Sequence, residues 1–266
     1  MAEIVKYNNI DVSFRQFGCG NKKTLVLLHG YLESKEIWHE FAIGLGLKYR
    51  VVCIDIPGHG ASGVFDEVHD MDSLAAAVDE VMLYLGIEKF HLVGHSMGGY
   101  VSMAYLDLFP EKLNSLVLFH STCFADTEEK RANRKREISL IQEGKKDLIV
   151  NKNIPMAFAD DNLEALSEKV EAAKKIAIKT DDEGIISILN GMMERPDRSQ
   201  VLANTDVPVM IVAGMKDNYI PREAIEKMKA LNKRIKVSEL EESGHMGFVE
   251  EGVKALEGLN QFFKSC

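Results

Sequence analysis

The most informative segment of this chain is Val93-Gly94-His95-Ser96-Met97-Gly98-Gly99. It follows the apolar run 90–93 and precedes a helical pattern that ends at Pro110, so the order is strand, tight turn and helix. A serine at the apex of such a turn has a strained backbone, and glycine two residues to either side lets the strand and helix pack closely. The turn exposes the Ser96 hydroxyl, and the unpaired amides that begin the helix can stabilise an anion. The segment therefore predicts a nucleophilic serine.

The composition is typical of a globular protein. The chain has 266 residues, of which 46% are hydrophobic and 27% are charged, and this length is sufficient for a sizeable core. Two small domains would also fit the length, but we expect one α/β domain with an insertion. The net charge of −9 disfavours nucleic acid and anionic membrane surfaces as partners. The expected partner is a small-molecule substrate, neutral or apolar; the oligomeric state is left open.

The first residues, 1–7, lack the basic start and apolar run of a secretory signal, and no run approaches the roughly 18 apolar residues of a membrane span. We therefore expect a cytosolic protein without membrane contact. The cysteines have no metal-type spacing, so we expect free thiols, no zinc site or other metal, and no cofactor. They are Cys19, Cys53, Cys123 and Cys266.

Strand and helix patterns alternate over the first 120 residues. A hairpin over residues 4–17 is predicted from the turn formers Asn8-Asn9. Continuous apolar runs then predict strands buried on both faces of a parallel sheet, with helices between them. The predicted strands are 25–28, 51–56, 90–93 and 116–119, and the predicted helices are 35–45, one from about 73 to 85 capped by Asp70 or Asp72, and one from 100.

The alternation stops between residues 121 and 199, where the pattern predicts only helices. We interpret 121–199 as an inserted helical cap, and 1–120 with 200–266 as the core. Its predicted helices are 127–143, 155–159, 162–179 and 183–194, and the charged run 128–136 is interpreted as a solvated helix face. Beyond the cap, the alternation resumes with strands 209–213 and 235–240 and helices 221–231 and up to 263.

A serine hydroxyl needs a base to take its proton, usually a histidine that is oriented by a carboxylate. Asp217 follows the strand 209–213, and His245 follows the strand 235–240. In a parallel sheet the carboxyl ends of these strands lie at the same edge as Ser96. The order Ser96, Asp217, His245 is one recognised arrangement of a catalytic triad.

Three other aspartates are candidates for the acid. Asp55 lies on an early strand, far in order from His245, and Asp206 precedes its strand and so belongs at the opposite edge. If Asp217 were not the acid, Asp126, in the loop after the strand 116–119, would be the next candidate.

These residues resemble the α/β-hydrolase superfamily, and the resemblance covers nearly all of the chain. It is carried by His29-Gly30-Tyr31, Asp55 to Ser62, Gly94 to Gly99, Gly214 to Asp217 before Pro221, and Gly244-His245. The resemblance implies a mostly parallel eight-stranded sheet with helices on both faces and an inserted helical cap. It also implies an oxyanion hole made by the backbone amides of Tyr31 and Met97.

The motifs are specific for the fold and much less so for the substrate, because the superfamily includes carboxylesterases, lactonases, thioesterases, carbon–carbon bond hydrolases and haloperoxidases without cofactors. The leading hypothesis is a serine hydrolase that cleaves a small carboxylic ester, thioester or lactone through an acyl-enzyme at Ser96. A carbon–carbon bond hydrolase or lyase on the same triad is one alternative, and a receptor for small molecules without turnover is another. Serine at position 96 disfavours haloalkane dehalogenases and epoxide hydrolases, which have aspartate there.

The substrate pocket is expected to involve residues beside the triad and on the cap. The candidates are His29, His95, Met156, Phe158, Met192 and Met193. His29 can instead brace its loop, His95 can pack beside the turn, and the cap residues at helical spacing can form the core of the cap. The remaining histidines are interpreted as loop, surface or core residues: His39, His59, His69, His91 and His120.

Overall fold

An eight-stranded sheet forms the centre of the computed structural model, which describes residues 2–266. The strands of these described residues are β1 (Ala2–Tyr7), β2 (Ile10–Phe17), β3 (Thr24–Leu28), β4 (Arg50–Ile54), β5 (Phe90–His95), β6 (Leu113–Phe119), β7 (Val209–Gly214) and β8 (Lys236–Leu240). Their spatial order is β1-β2-β4-β3-β5-β6-β7-β8. The six strands from β4 to β8 in this order pair in parallel, so the predicted mostly parallel sheet is confirmed.

The two amino-terminal strands form the antiparallel end of the sheet. β1 pairs with β2, and β2 pairs with β4, both antiparallel. Asn8 and Asn9 connect the first pair with φ angles of 45° and 65°, and asparagine tolerates this left-handed region better than most residues. The predicted hairpin is therefore confirmed.

Helices cover both faces of the sheet, which explains why β3, β5 and β7 are buried along their whole length. In the described part of the chain they are α1 (His39–Gly46), α2 (Met71–Tyr84), α3 (Met97–Leu108), α4 (Glu128–Gln142), α5 (Lys146–Met156), α6 (Ser167–Ala177), α7 (Asp182–Glu194), α8 (Ser199–Asn204), α9 (Arg222–Leu231), α10 (Gly247–Glu250) and α11 (Gly252–Lys264). α1 packs beside α11. Of the other helices, α2 packs against α3, α3 against α8, and α8 against α9. Within residues 2–266, no helix is both long and apolar enough to cross a membrane.

Several helix boundaries differ from the predicted ones. The predicted helix 35–45 is divided into a 3-10 turn over Lys35–Trp38 and α1. Asp70 caps α2 by accepting hydrogen bonds from two amides, so the helix begins at Met71 rather than near residue 73. The short helix predicted at 155–159 is instead the end of the longer α5, with Pro155 in its last turn.

α7 approaches the core through small residues. A side chain at Gly184 would collide with the carbonyl group of Gly58, and one at Gly191 would collide with the carbonyl oxygen of His69. The amide of His69 also donates a hydrogen bond to the carbonyl of Ser187 over 3.0 Å. Since these positions recur at helical spacing, one backbone face of α7 lies directly against the loop 57–70.

This contact predicts the effect of Gly191→Ala. Alanine favours a helix interior by about 1 kcal/mol over glycine, but its methyl group would push α7 away from a backbone carbonyl, and overpacking typically costs about 1–3 kcal/mol. We expect a net loss of stability in urea unfolding. Gly252→Ala is the matched control, because a methyl group there meets no atom within 4 Å; equal midpoints for the two variants would contradict the expected effect.

Candidate active site

Ser96 lies between β5 and α3 with φ at 50° and ψ at −115°, the strained conformation that the sequence predicts. The flanking glycines allow it. A side chain at Gly94 would collide with the carbonyl of Gly98, and a methyl group at Gly98 would lie 2.7 Å from the carbonyl oxygen of His29. The amide of Ser96 donates to the carbonyl of Phe119 on β6 over 3.0 Å. The turn is therefore held against both neighbouring strands.

His245 and Asp217 are joined by a hydrogen bond at the same edge of the sheet. Nδ1 of His245 donates to Oδ2 of Asp217 over 2.8 Å. Asp217 lies just after β7, and His245 lies in the loop after β8. A proton on Nδ1 leaves Nε2 as the nitrogen that can accept a proton.

The Asp217 carboxylate is buried and fully hydrogen-bonded. Its Oδ1 accepts the amides of Tyr219 at 2.7 Å and Ile220 at 3.1 Å. Burial alone would raise the pKa of Asp217, but the charge of His245 and the hydrogen bonds from His120 and His245 hold this pKa well below its usual range. The carboxylate is thus ionised at neutral pH and can stabilise an imidazolium.

His120 is a further histidine beside this carboxylate, and the sequence prediction missed it. Its Nδ1 lies 3.2 Å from Oδ2 of Asp217 and 3.1 Å from the amide nitrogen of Gly214, and its Nε2 accepts the amide of Gly247 at 3.3 Å. Burial lowers the pKa of His120 to about 4, so the ring is neutral at pH 7. A neutral ring cannot satisfy all three contacts at once: when protonated at Nδ1 it donates to Asp217 and accepts from Gly247 at Nε2, but it cannot then accept the amide of Gly214 at Nδ1.

The three side chains His120, Asp217 and His245 bring one metal-ligating atom each within 4.8 Å of one another. Their spacing is that of hydrogen bonds. Nδ1 of His245 and Nδ1 of His120 lie 2.8 Å and 3.2 Å from Oδ2 of Asp217; only the first distance is well below the distance of about 3.3 Å between two ligand atoms of a tetrahedral zinc ion with bonds near 2.0 Å.

Two of the alternative acids are engaged elsewhere. Asp55 is fully buried, forms an ion pair with Nζ of Lys35, and accepts the amide of Ala61 at 2.9 Å. Asp206 is exposed and pairs with Arg234 at 2.8 Å. Neither carboxylate is hydrogen-bonded to His245.

Asp126, the fallback acid, is held by two arginines from the helical segment. Its carboxylate contacts Nε of Arg134 at 2.5 Å and Nη1 of Arg195 at 2.7 Å. Burial alone would raise the pKa of Asp126, but the hydrogen bond and charge of Arg134, together with Arg195, lower it. These ion pairs explain why a carboxylate is buried at this position, and the explanation requires no role in proton transfer.

The two predicted oxyanion donors lie on adjoining segments. Met97 is the first residue of α3, where backbone amides have no partner within the helix. Gly98 packs against the carbonyls of Leu28 and His29, which brings the start of α3 beside the loop that contains Tyr31.

A cavity of about 620 Å³ has Ser96, His245 and Tyr31 in its wall. Four of the six pocket candidates also line it. They are His95, Met156, Phe158 and Met192.

His29 and Met193 do not line this cavity, which corrects the sequence prediction. His29 is fully buried; its Nε2 accepts the amide of Ile56 at 3.0 Å and its Nδ1 lies 2.8 Å from the carbonyl oxygen of Gly30. It braces the loops, as the alternative interpretation had it. Met193 follows Met192 on α7, and a step of one residue turns a helix by 100°, so only Met192 faces inward.

Other wall residues were not predicted. The charged run 128–136 is largely exposed, in line with its interpretation as a solvated helix face, but its residues Lys130, Asn133 and Arg136 also line the cavity. The hydroxyl of Tyr31 donates to the Glu137 carboxylate over 3.0 Å, linking α4 to the loop after β3. Sequence periodicity holds no signal for this contact, because it depends on how α4 docks. His120 had a detectable signal, since it directly follows β6 at the catalytic edge.

Comparison with known proteins agrees with this architecture. A family profile described as the alpha/beta hydrolase fold matches residues 23–136. A pimeloyl-[acyl-carrier protein] methyl ester esterase from Aeromonas hydrophila is 26% identical over 262 residues, with 95% of this chain and 99% of the relative covered. A dihydrolipoyllysine-residue acetyltransferase component of an acetoin cleaving system from Pseudomonas putida is 30% identical over 241 residues. This match covers 89% of the chain, which spans 61% of the length of that relative.

Among solved structures, a thermophilic esterase from Thermogutta terrifontis superposes with a TM-score of 0.91 at 24% identity, covering 96% of this chain and 94% of that one. The profile match and the superposition agree with the eight-stranded, mostly parallel sheet described above. The chain therefore belongs to the α/β-hydrolase superfamily.

Proposed function

We propose that this protein is a serine hydrolase that cleaves a small carboxylic ester, thioester or lactone through an acyl-enzyme at Ser96. One observation carries the proposal: Nδ1 of His245 is hydrogen-bonded to Asp217, and His245 lines the same cavity as the strained Ser96. A base oriented in this way beside a serine is the arrangement that nucleophilic acyl transfer requires.

In the first half of the proposed reaction, Oγ of Ser96 attacks the carbonyl carbon while Nε2 of His245 takes the hydroxyl proton. The Asp217 carboxylate stabilises the imidazolium that results. The amides of Tyr31 and Met97 are proposed to donate to the oxyanion of the tetrahedral intermediate. The imidazolium then gives its proton to the leaving oxygen or sulfur, which leaves an acyl group on Ser96.

In the second half, His245 takes a proton from water, and the hydroxide attacks the acyl carbon. Collapse of the second tetrahedral intermediate returns the proton to Oγ of Ser96 and releases a carboxylic acid. Every proton moves through one imidazole, so this chemistry requires neither a metal nor a cofactor. The similarity to the Aeromonas hydrophila relative and to the Thermogutta terrifontis structure, which are both esterases, supports an ester as the substrate class.

We further propose that residues 121–199 act as a cap that roofs the cavity and sets substrate preference. α4, α5 and α7 each contribute wall residues, among them Glu137, Met156 and Met192. The turn after β3 lacks the extended glycine run of lipases that accept bulky esters, and this supports small or unbranched acyl groups.

The first prediction concerns the nucleophile. A fluorophosphonate probe should label the wild-type protein and leave Ser96→Ala unlabelled, because only an activated serine hydroxyl attacks the phosphorus. Labelling is read by intact mass spectrometry, and far-UV circular dichroism checks that both proteins are folded. A folded wild type that is neither labelled nor able to turn over p-nitrophenyl esters, but is stabilised by small molecules, would instead indicate a receptor.

The second prediction concerns the acid. Asp217→Asn keeps the shape of the side chain but removes the charge that stabilises the imidazolium, and the same change in a comparable triad costs on the order of 10⁴ in turnover. We expect a folded protein with kcat reduced to a similar extent. Asp206→Asn is the matched control and should retain wild-type kcat, because this carboxylate is exposed and bound to Arg234. Near-normal turnover by Asp217→Asn would show that the acid is another residue.

The third prediction concerns substrate length. Phe158 and Ala173 line both the catalytic cavity and a second cavity of about 900 Å³ beside α1 and α11, so this wall is one side chain thick. Phe158→Ala should connect the two cavities and admit longer acyl chains. With about 0.8 kcal/mol gained per buried methylene, two or three more methylenes should raise the octanoyl-to-acetyl ratio of kcat/KM by at least about ten-fold.

The matched control for that experiment is Met193→Ala, because Met193 lies outside the wall of both cavities. Its ratio of kcat/KM for octanoyl and acetyl esters of p-nitrophenol should equal that of the wild type. An unchanged ratio in Phe158→Ala would mean that Phe158 does not limit chain length.

A further inference from the structure

Glu33 and His95 form a buried pair beside the candidate triad that the proposed reaction does not use. Nδ1 of His95 lies 3.0 Å from Oε2 of Glu33, and the two side chains are 1% and 7% exposed. Nε2 of His95 lies 2.9 Å from the backbone carbonyl oxygen of His245. Both ring nitrogens therefore face oxygen atoms.

The number of protons in this pair follows from the acceptors. A backbone carbonyl can only accept, so Nε2 of His95 must carry a proton. A second proton must lie between Nδ1 and Oε2 of Glu33, since a bare nitrogen facing a carboxylate would leave two acceptors in contact. The pair as a whole is thus neutral, which makes its burial tolerable.

The position of that second proton is decided by Gly30. Its amide donates to the same Oε2 of Glu33 over 2.6 Å, and a hydrogen bond of this kind favours the ionised carboxylate. The proton then belongs to Nδ1 of His95.

The charged groups around His95 are compatible with an imidazolium. Asp217 and Glu33 are the nearby carboxylates, and both raise the pKa of His95; burial alone would lower it, but the charge and hydrogen bond of Glu33 prevail. The neutral His120 ring lies 6.1 Å away and the His245 ring 4.9 Å away. The other surrounding rings are apolar: Trp38, Phe119 and Phe248.

We propose that His95 is an imidazolium which, with the Glu33 carboxylate, forms a positioning bridge across the three loops that carry the oxyanion amide, the nucleophile and the base. Gly30 precedes Tyr31, His95 precedes Ser96, and the carbonyl that accepts from Nε2 belongs to His245 itself. The bridge also explains the glycine at position 30, because a methyl group there would lie 2.9 Å from Nδ1 of His95. Its effect on catalysis rests on the function proposed above, whereas its charge state does not.

The charge state is tested by nitrogen NMR of the ¹⁵N-histidine-labelled full-length protein at about pH 7.5, where an ordinary histidine with a pKa near 6.5 is neutral. His95 should show two protonated ring nitrogens, and its signals are assigned by their loss in His95→Asn. In Glu33→Gln the ring should become neutral. A wild-type His95 with one unprotonated nitrogen would overturn the proposal, whatever reaction the protein catalyses.

The positioning role is tested with two variants that each keep one arm of the bridge. In His95→Asn the amide can still donate to Glu33, and in His95→Gln it can still reach the carbonyl of His245. Both should lower kcat on p-nitrophenyl acetate by about 10- to 100-fold with little change in KM, because small displacements of reacting groups slow the chemical step more than binding. His39→Gln, the same change at an exposed histidine, should retain wild-type kcat.

These measurements separate the bridge from the proposed function. If wild-type kcat and fluorophosphonate labelling are normal and both His95 variants match the wild type, the bridge does not position the site. If the wild type is inactive and unlabelled, the hydrolase proposal fails, and the NMR spectrum still decides the charge state of His95. A fall in kcat that is equal in both variants and absent in His39→Gln supports the bridge.

Discussion

The candidate active site depends on one close backbone contact, between the first turn of α3 and the end of β3. Gly98 lies against the carbonyls of Leu28 and His29, a distance that no side chain would permit. Because of this contact, the unpaired amides of α3 adjoin the loop after β3, and Ser96 projects from the turn between two buried strands. The strain at Ser96 persists because strands on both sides of β5 hold the turn.

Buried charge at this edge occurs in pairs and small networks. Asp55 is matched by Lys35, Asp126 by two arginines, Glu33 by His95, and Asp217 by His120 and His245. Such groups contribute little net stability relative to apolar side chains, but removing one member leaves an uncompensated buried charge. Their common effect is geometric: three of the networks tie the ends of different strands to one another, and the Asp126 network ties the segment after β6 to α4 and to the end of α7. The loops of the candidate active site are thereby tied to one another.

The sequence was sufficient to predict the sheet and the serine turn, because both depend on local patterns. Apolar runs such as 25–28 predict strands buried on both faces, and the glycine spacing around Ser96 predicts the tight turn. The positions of Asp217 and His245 could be predicted from the rule that parallel strands end at one edge. The contacts of Glu33 with His95 and of Glu137 with Tyr31 could not be predicted. Their partners are 62 and 106 positions apart in the sequence, and the contacts depend on how the loops and α4 dock. Met193 was misjudged because adjacent helical residues face different directions.

The glycine face of α7 affects which parts of the cavity wall can accommodate mutations. At Gly184 and Gly191 the backbone of α7 packs directly against the backbone of the loop 57–70. No side chain lies between them that could change rotamer if α7 moved, so this contact positions α7 firmly. α4 meets the core through side chains instead, for example Glu137 with Tyr31. The end of α5 is tied to the core by its backbone, since the amide of His245 donates to the carbonyl of Ala157 over 2.7 Å. Mutations that enlarge or reshape the cavity should therefore be tolerated more readily on α4 than on α7.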